Sequence, residues 1–205
     1  MSQTRKSSLD LKRMCTLAIF IAIELVMKLM GLGSVPVGPL NMSFLTVPVA
    51  LGAILLGPVA GLIMGTVFGL CSLYDAISGL SVMTNIFFGT LPFQTVLLCV
   101  GTRALMGWLT GVIAKALRHA DSRRLLGCYV PALAAPLLNT LFFMGFIVLV
   151  FWNTDYVQNL AAAKSVSNGF AFIVALVGVQ GLVEALVCTL VGGSVAKGVS
   201  VALKM

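Results

Sequence analysis

The 205-residue chain is 60% hydrophobic and 9% charged, with a mean hydropathy of +1.10, whereas soluble domains carry about 25% charged residues. That composition excludes a water-soluble globule and a disordered tail. The net charge of +7 does not point to nucleic acid either, because ten of the 13 basic residues fall in three short segments beside apolar runs.

In chain order, Arg5, Lys6, Lys12 and Arg13 precede the first apolar run, which predicts a cytoplasmic segment over 1–13 and a first span over 14–30. Glu24 and Lys28 interrupt that run and no small-residue cleavage site follows, so the span is read as uncleaved rather than as a signal peptide. A Gly/Pro-rich connection (31–43) leads to a short span over 44–56. Gly57-Pro58 then predicts a tight turn, glycine closing one helix and proline opening the next. A third span covers 58–73, and the turn-rich stretch 74–91 is expected to be a long external loop. Span four (92–117) ends in a basic break containing Lys115, Arg118, His119, Arg123 and Arg124. Span five (125–151), an external loop (152–169) and span six (170–197) follow, with Lys197 and Lys204 near the end. Basic clusters mark cytoplasmic loops. The expectation is therefore an all-α integral membrane protein: a compact six-helix bundle, multi-pass in a bilayer, with both termini cytoplasmic.

The five cysteines stand singly, with no CxxC pair or neighbouring histidine, and predict no metal site and no disulfide framework. No cofactor is expected. G-x-x-x-x-G-K-[ST], H-E-x-x-H and G-x-S-x-G are all absent, so the chain is not expected to be an enzyme, and energy for any transport must come from a partner or an ion gradient.

Small residues recur every four positions at Gly57, Gly61, Gly65 and Gly69, and again at Ala18 and Ala22. In lipid such stripes let helices approach closely. Gly65 and Gly69 are read as packing within the bundle. Ala18 and Ala22, with Gly57 and Gly61, are candidates for docking a partner's helix.

Ionisable groups within spans are costly and point to function. Counted from the nearest basic edge at a rise of ~1.5 Å per residue, Glu24, Arg103, Glu184 and Asn139 lie at roughly 17, 18, 20 and 22 Å. Four polar groups on four spans thus share one level, and Pro131 and Pro136 make span five irregular beside Asn139. Glu24 and Lys28, four apart, are spaced to pair with each other. Arg103 either pairs with Glu184 or presents its fork to a carboxylate. Gln180 and Asn139 would add neutral hydrogen-bonding groups, Asn85 lies on the loop side, and Trp152 offers an apolar wall.

The strings LAIFIAIEL (17–25), LGAILLGPVAGLIMGTVFGL (51–70), TRALMGWLTGVIAKAL (102–117), APLLNTLFFMGF (135–146) and LVEAL (182–186), in this order and spacing, resemble the substrate-binding S component of an energy-coupling factor (ECF) vitamin transporter. The resemblance covers nearly all of the chain after residue 12. It implies a bacterial membrane subunit that takes a vitamin from outside and delivers it by toppling against a T component driven by two ATPase subunits. It also implies docking through an alanine motif on span one, matched by Ala18 and Ala22, and a cavity between spans four to six and the external loops. NTLFFMG and the Arg/Glu placement are most similar to pantothenate-specific members, although Gln180-Gly181-Leu182-Val183 stands where those members carry Asn-Gly and a proline.

The readings carried forward are a pantothenate-binding transport subunit, the same subunit for riboflavin or another vitamin, a membrane-embedded enzyme using Glu184 or Glu24, and a scaffold whose polar belt only joins helices.

Overall fold

A computed structural model describes residues 2–37, 40–120, 125–166 and 168–202, with side chains except at 2–10, 34–41, 119 and 120. The basic positions Arg123, Arg124 and Lys204 lie outside the described residues. Among the described residues eight helices and one hairpin follow one another: α1 (Ser2–Leu29), β1 (Ser34–Val37), β2 (Leu40–Ser43), α2 (Thr46–Leu56), α3 (Pro58–Ser78), α4 (Val82–Thr90), α5 (Pro92–Arg118), α6 (Leu126–Phe151), α7 (Asp155–Ala163) and α8 (Gly169–Ala202). Four of them, α3, α5, α6 and α8, are long and apolar enough to cross a membrane.

The short α2 occupies the middle. Its eleven residues rise only about 16 Å, well short of a hydrocarbon core of ~30 Å. Val49, Ala50, Ala53 and Ile54 are nevertheless fully enclosed by neighbouring helices. Hydrophobicity on all sides suits a helix buried all round. Arg118 of α5 donates to the carbonyls of Ile54 and Leu55 at the end of α2, satisfying acceptors that a helix C-terminus leaves open. Gly57, at φ +98°, then turns the chain, and Pro58 opens α3 at a position that needs no amide donor.

The α3–α5 seam is built from backbone contact. A Cβ at Gly61 would strike the Gly107 carbonyl, and one at Gly65 the carbonyl of Arg103; Gly107 is pressed on Gly61 in return. Without a hydrophobic drive between helices in lipid, such close approach supplies the dispersion contact that holds them. The seam fixes the height of Arg103 on α5 relative to α3.

Three expected connections contain regular structure. The stretch 31–43 holds an antiparallel hairpin, with Ser34 opposite Ser43 and Val37 opposite Leu40. The stretch 74–91 is not a long loop: α3 continues to Ser78, Gly79 ends it in the left-handed conformation, and α4 begins at Val82. Met83 and Phe87 of α4 are buried four apart, and that spacing makes the segment helical against the bundle. Within 152–169, α7 likewise buries Val157 and Ala161. Together α4, α7 and the ends of α6 and α8 form an apolar cap, in which Phe87 stacks on Phe151 at 4.2 Å. Tyr156 meets the Phe87 ring edge-on, and burial raises its phenol above its ordinary pKa.

Candidate functional site

Beneath this cap, between α1, α3, α4, α5 and α6, lies a small, partly open polar cavity of about 60 Å³. One wall comes from α3, where Phe68, Ser72 and Asp75 follow at helical spacing along one face. Arg103 of α5 stands opposite. Its side chain runs back toward the helix N-terminus, as helical side chains do, and Nη1 donates to the Leu98 carbonyl at 3.1 Å. That carbonyl lies in a π-helical turn, Leu97–Gly101, and also accepts from the Thr102 hydroxyl. Such turns widen the backbone and recur at functional sites.

Arg103 is only 7% exposed. Its guanidinium lies 4.2 Å from the Phe143 ring centroid and 5.1 Å from that of Phe68, an attraction that partly offsets desolvation. Nε has no hydrogen-bond partner. A guanidinium carries five donors, so a buried one with an unused donor is poorly compensated unless something else enters.

The pairings anticipated from spacing are different here. Lys28 forms its ion pair with Asp75 across α1 and α3, not with Glu24 on its own helix. The Asp75 carboxylate, brought to the inner face by α3, offers Lys28 a partner beside the cavity. Glu24 is 0% exposed and neither of its oxygens has a partner. Arg103 and Glu184 form no ion pair. Glu184 instead accepts the backbone N–H of Ser43 at 2.7 Å, which ties the base of the hairpin to α8.

Asn139, Gln180 and Glu184 are all buried, and the carbonyl oxygens of Asn139 and Gln180 lack partners. Asn139 lies one turn from Phe143 on α6, and Gln180 one turn from Glu184 on α8. Two of the expected contributors stand elsewhere. Asn85 donates to the Ala76 carbonyl at 2.7 Å and so closes the end of α3. Trp152 meets the Phe172 ring edge-on in the apolar cap. Neither lines the cavity. Gly61 is covered by α5 and therefore presents no face to a partner, which corrects its reading as a docking residue, whereas a Cβ at Gly57 would meet nothing. Ala18 and Ala22 are exposed on the outer side of α1.

Spacing alone did not identify Lys28, Ser72, Asp75 and Thr84 as cavity residues. The one signal available for Ser72 and Asp75 was the Phe68–Ser72–Asp75 periodicity. It would have extended α3 beyond residue 73 and turned a polar face inward.

The cavity has room for a few waters at most, at about 30 Å³ for each, against the roughly 300–1,000 Å³ of typical ligand pockets. A larger molecule could enter the cavity only if its walls moved apart. Its lining residues include two cations, Lys28 and Arg103, and one anion, Asp75, with hydroxyls from Ser43, Ser72 and Thr84 between them. That set fits an anion bearing hydroxyl or amide groups.

Comparison with known proteins identifies one family. The model described as "ECF transporter, substrate-specific component" matches residues 12–192. No curated protein matches the chain.

Proposed function

The chain belongs to the family of ECF transporter substrate-specific components, and on that premise we propose that it takes up pantothenate from the outer face of a bacterial plasma membrane. Membership makes it the substrate-binding subunit of an ECF transporter, a membrane protein working with a T component and ATPase subunits. The family is one of transporters and not of enzymes.

The observation that carries the substrate reading is the buried Arg103 guanidinium, held at a polar cavity with an unused donor and no carboxylate in ion-pair contact. A ligand carboxylate can accept two parallel N–H bonds from such a fork. The hydroxyls and amide of pantothenate would meet Ser72, Thr84 and the free Asp75 Oδ1. Asn139, Gln180 and Glu184 form a second polar group, on α6 and α8, for the far end of the ligand. In this reading the bundle has six membrane segments, α1 and the short α2, which is shielded by its neighbours rather than by lipid, joining the four long helices, and both termini are cytoplasmic. The exposed Ala18 and Ala22 would dock on the T component, which two ATPase subunits drive. Binding is expected to need no metal or cofactor.

Mass spectrometry of the denatured extract of the purified protein tests the substrate. Pantothenate at near-stoichiometric amounts is expected. A different vitamin, such as riboflavin, would replace the reading.

A further inference from the structure

Two cavities meet at one ion pair. The small cavity at Arg103 lies on one side of it. On the other is a groove of about 620 Å³ between α1 and α3, walled by Leu25, Leu29, Leu70, Cys71 and Tyr74. Lys28 and Asp75 are the two residues that line both. Consecutive residues of α3 face the two compartments, Cys71 the groove and Ser72 the cavity.

Two other directions are filled more tightly. Across the cap, Met83, Phe87, Phe151 and Phe172 are at most 1% exposed, and Phe87 stacks on Phe151. Toward Pro58 the α3–α5 seam is backbone against backbone. By contrast, α1 leans mainly on α2 and touches α3 lightly. The side chains closing that weak joint are Lys28 and Asp75, 16% and 9% exposed.

We infer that the Lys28–Asp75 ion pair is a latch between groove and cavity, and that the ligand reaches Arg103 laterally, between α1 and α3, when this pair parts. The inference rests on the reading of the cavity as the ligand site. An anionic ligand can part the latch because its carboxylate competes with Asp75 for the Lys28 ammonium. Once inside, the carboxylate meets the unused donor of Arg103. Asp75, released from Lys28, has both oxygens free to accept hydroxyl or amide hydrogens of the ligand. The latch thus favours small anions with donor groups over neutral molecules.

Thiol labelling tests the passage without any ligand. The purified full chain carries Cys15→Ala, Cys71→Ala, Cys99→Ala (Cys99 lies against Ser72) and Ser72→Cys; its other cysteines, Cys128 and Cys188, are buried. A small water-soluble methanethiosulfonate is expected to label the introduced thiol slowly while the latch is intact. Adding Lys28→Met should raise that rate about tenfold, the effect of removing about 1.4 kcal/mol of closure. Asp75→Asn should do the same, which provides a second variant if the first does not accumulate. Filling the groove with Leu25→Trp should return the rate to its starting value. A rate within about twofold of the intact latch in both opened variants, or a raised rate that Leu25→Trp leaves unchanged, would overturn the inference. In the otherwise native chain, Lys28→Met should also speed association of radiolabelled pantothenate. If the labelling results hold while the native chain binds no pantothenate, the passage stands and the pantothenate reading falls.

Discussion

Two stripes run side by side on α3. The glycines at 61, 65 and 69 lie against the backbone of α5 so closely that no side chain fits between them. One position around the helix, Phe68, Ser72 and Asp75 face a cavity in which buried polar atoms go unpartnered. The first stripe has its contacts complete within the chain. The second leaves donors and acceptors that only a further molecule can satisfy, and burying such groups without partners is costly. Rigid packing next to unsatisfied polarity is the arrangement expected of a preorganised binding site, since the tight seam holds Arg103 in place while its guanidinium waits for an anion.

Substitutions can break this comparison in order of expected effect. Gly65→Leu inserts a side chain into the Arg103 backbone, beyond the about 1–3 kcal/mol usual for overpacking because a helix backbone must move. Loss of monodisperse protein in size-exclusion chromatography is the expected result. Ser72→Ala, on the neighbouring stripe, should leave the elution profile unchanged. If both variants behave alike, the two stripes do not differ as described.

A second contrast separates covered small residues from open ones. Ala18 and Ala22 are exposed, whereas Gly61 is not. Ala18→Trp with Ala22→Trp should reduce vitamin uptake to background in cells carrying the whole transporter. Ligand affinity of the isolated subunit should stay within about twofold, as for exposed substitutions in general. Uptake that survives the double substitution would remove this face from docking.

The smallest effect is expected at Asn85, which lies near the cavity in sequence but bonds to the end of α3. Asn85→Ala should cost about 1 kcal/mol of stability, the net value of one hydrogen bond, read as a modest fall in melting temperature. Ligand affinity should not change. A large loss of affinity would return Asn85 to the site.

Much of the scaffold was readable from local chemistry. Gly57-Pro58 acts through the conformational preferences of two residues, and the glycine stripe through a spacing that survives any tertiary arrangement. Arg103, Glu184, Asn139 and Gln180 stood out because charged and amide groups are rare within apolar runs, and all four are buried. The pairings were not readable in the same way. Lys28 finds Asp75 47 positions away, while the nearer Glu24 satisfies only the local spacing rule. Glu184 bonds to a backbone amide, Ser43, which no side-chain pattern reveals. The α4 helix was hidden because its buried residues, Met83 and Phe87, are too few to give a periodicity without the cap they pack into.

The most direct measurement of the account is titration of pantothenate into the purified subunit and into Arg103→Ala under identical conditions. The native chain should bind, and the variant should remain folded with affinity reduced by about 10- to 100-fold, the range for a lost hydrogen-bonded charge. Equal affinity in the two proteins would contradict the claim that Arg103 holds the ligand.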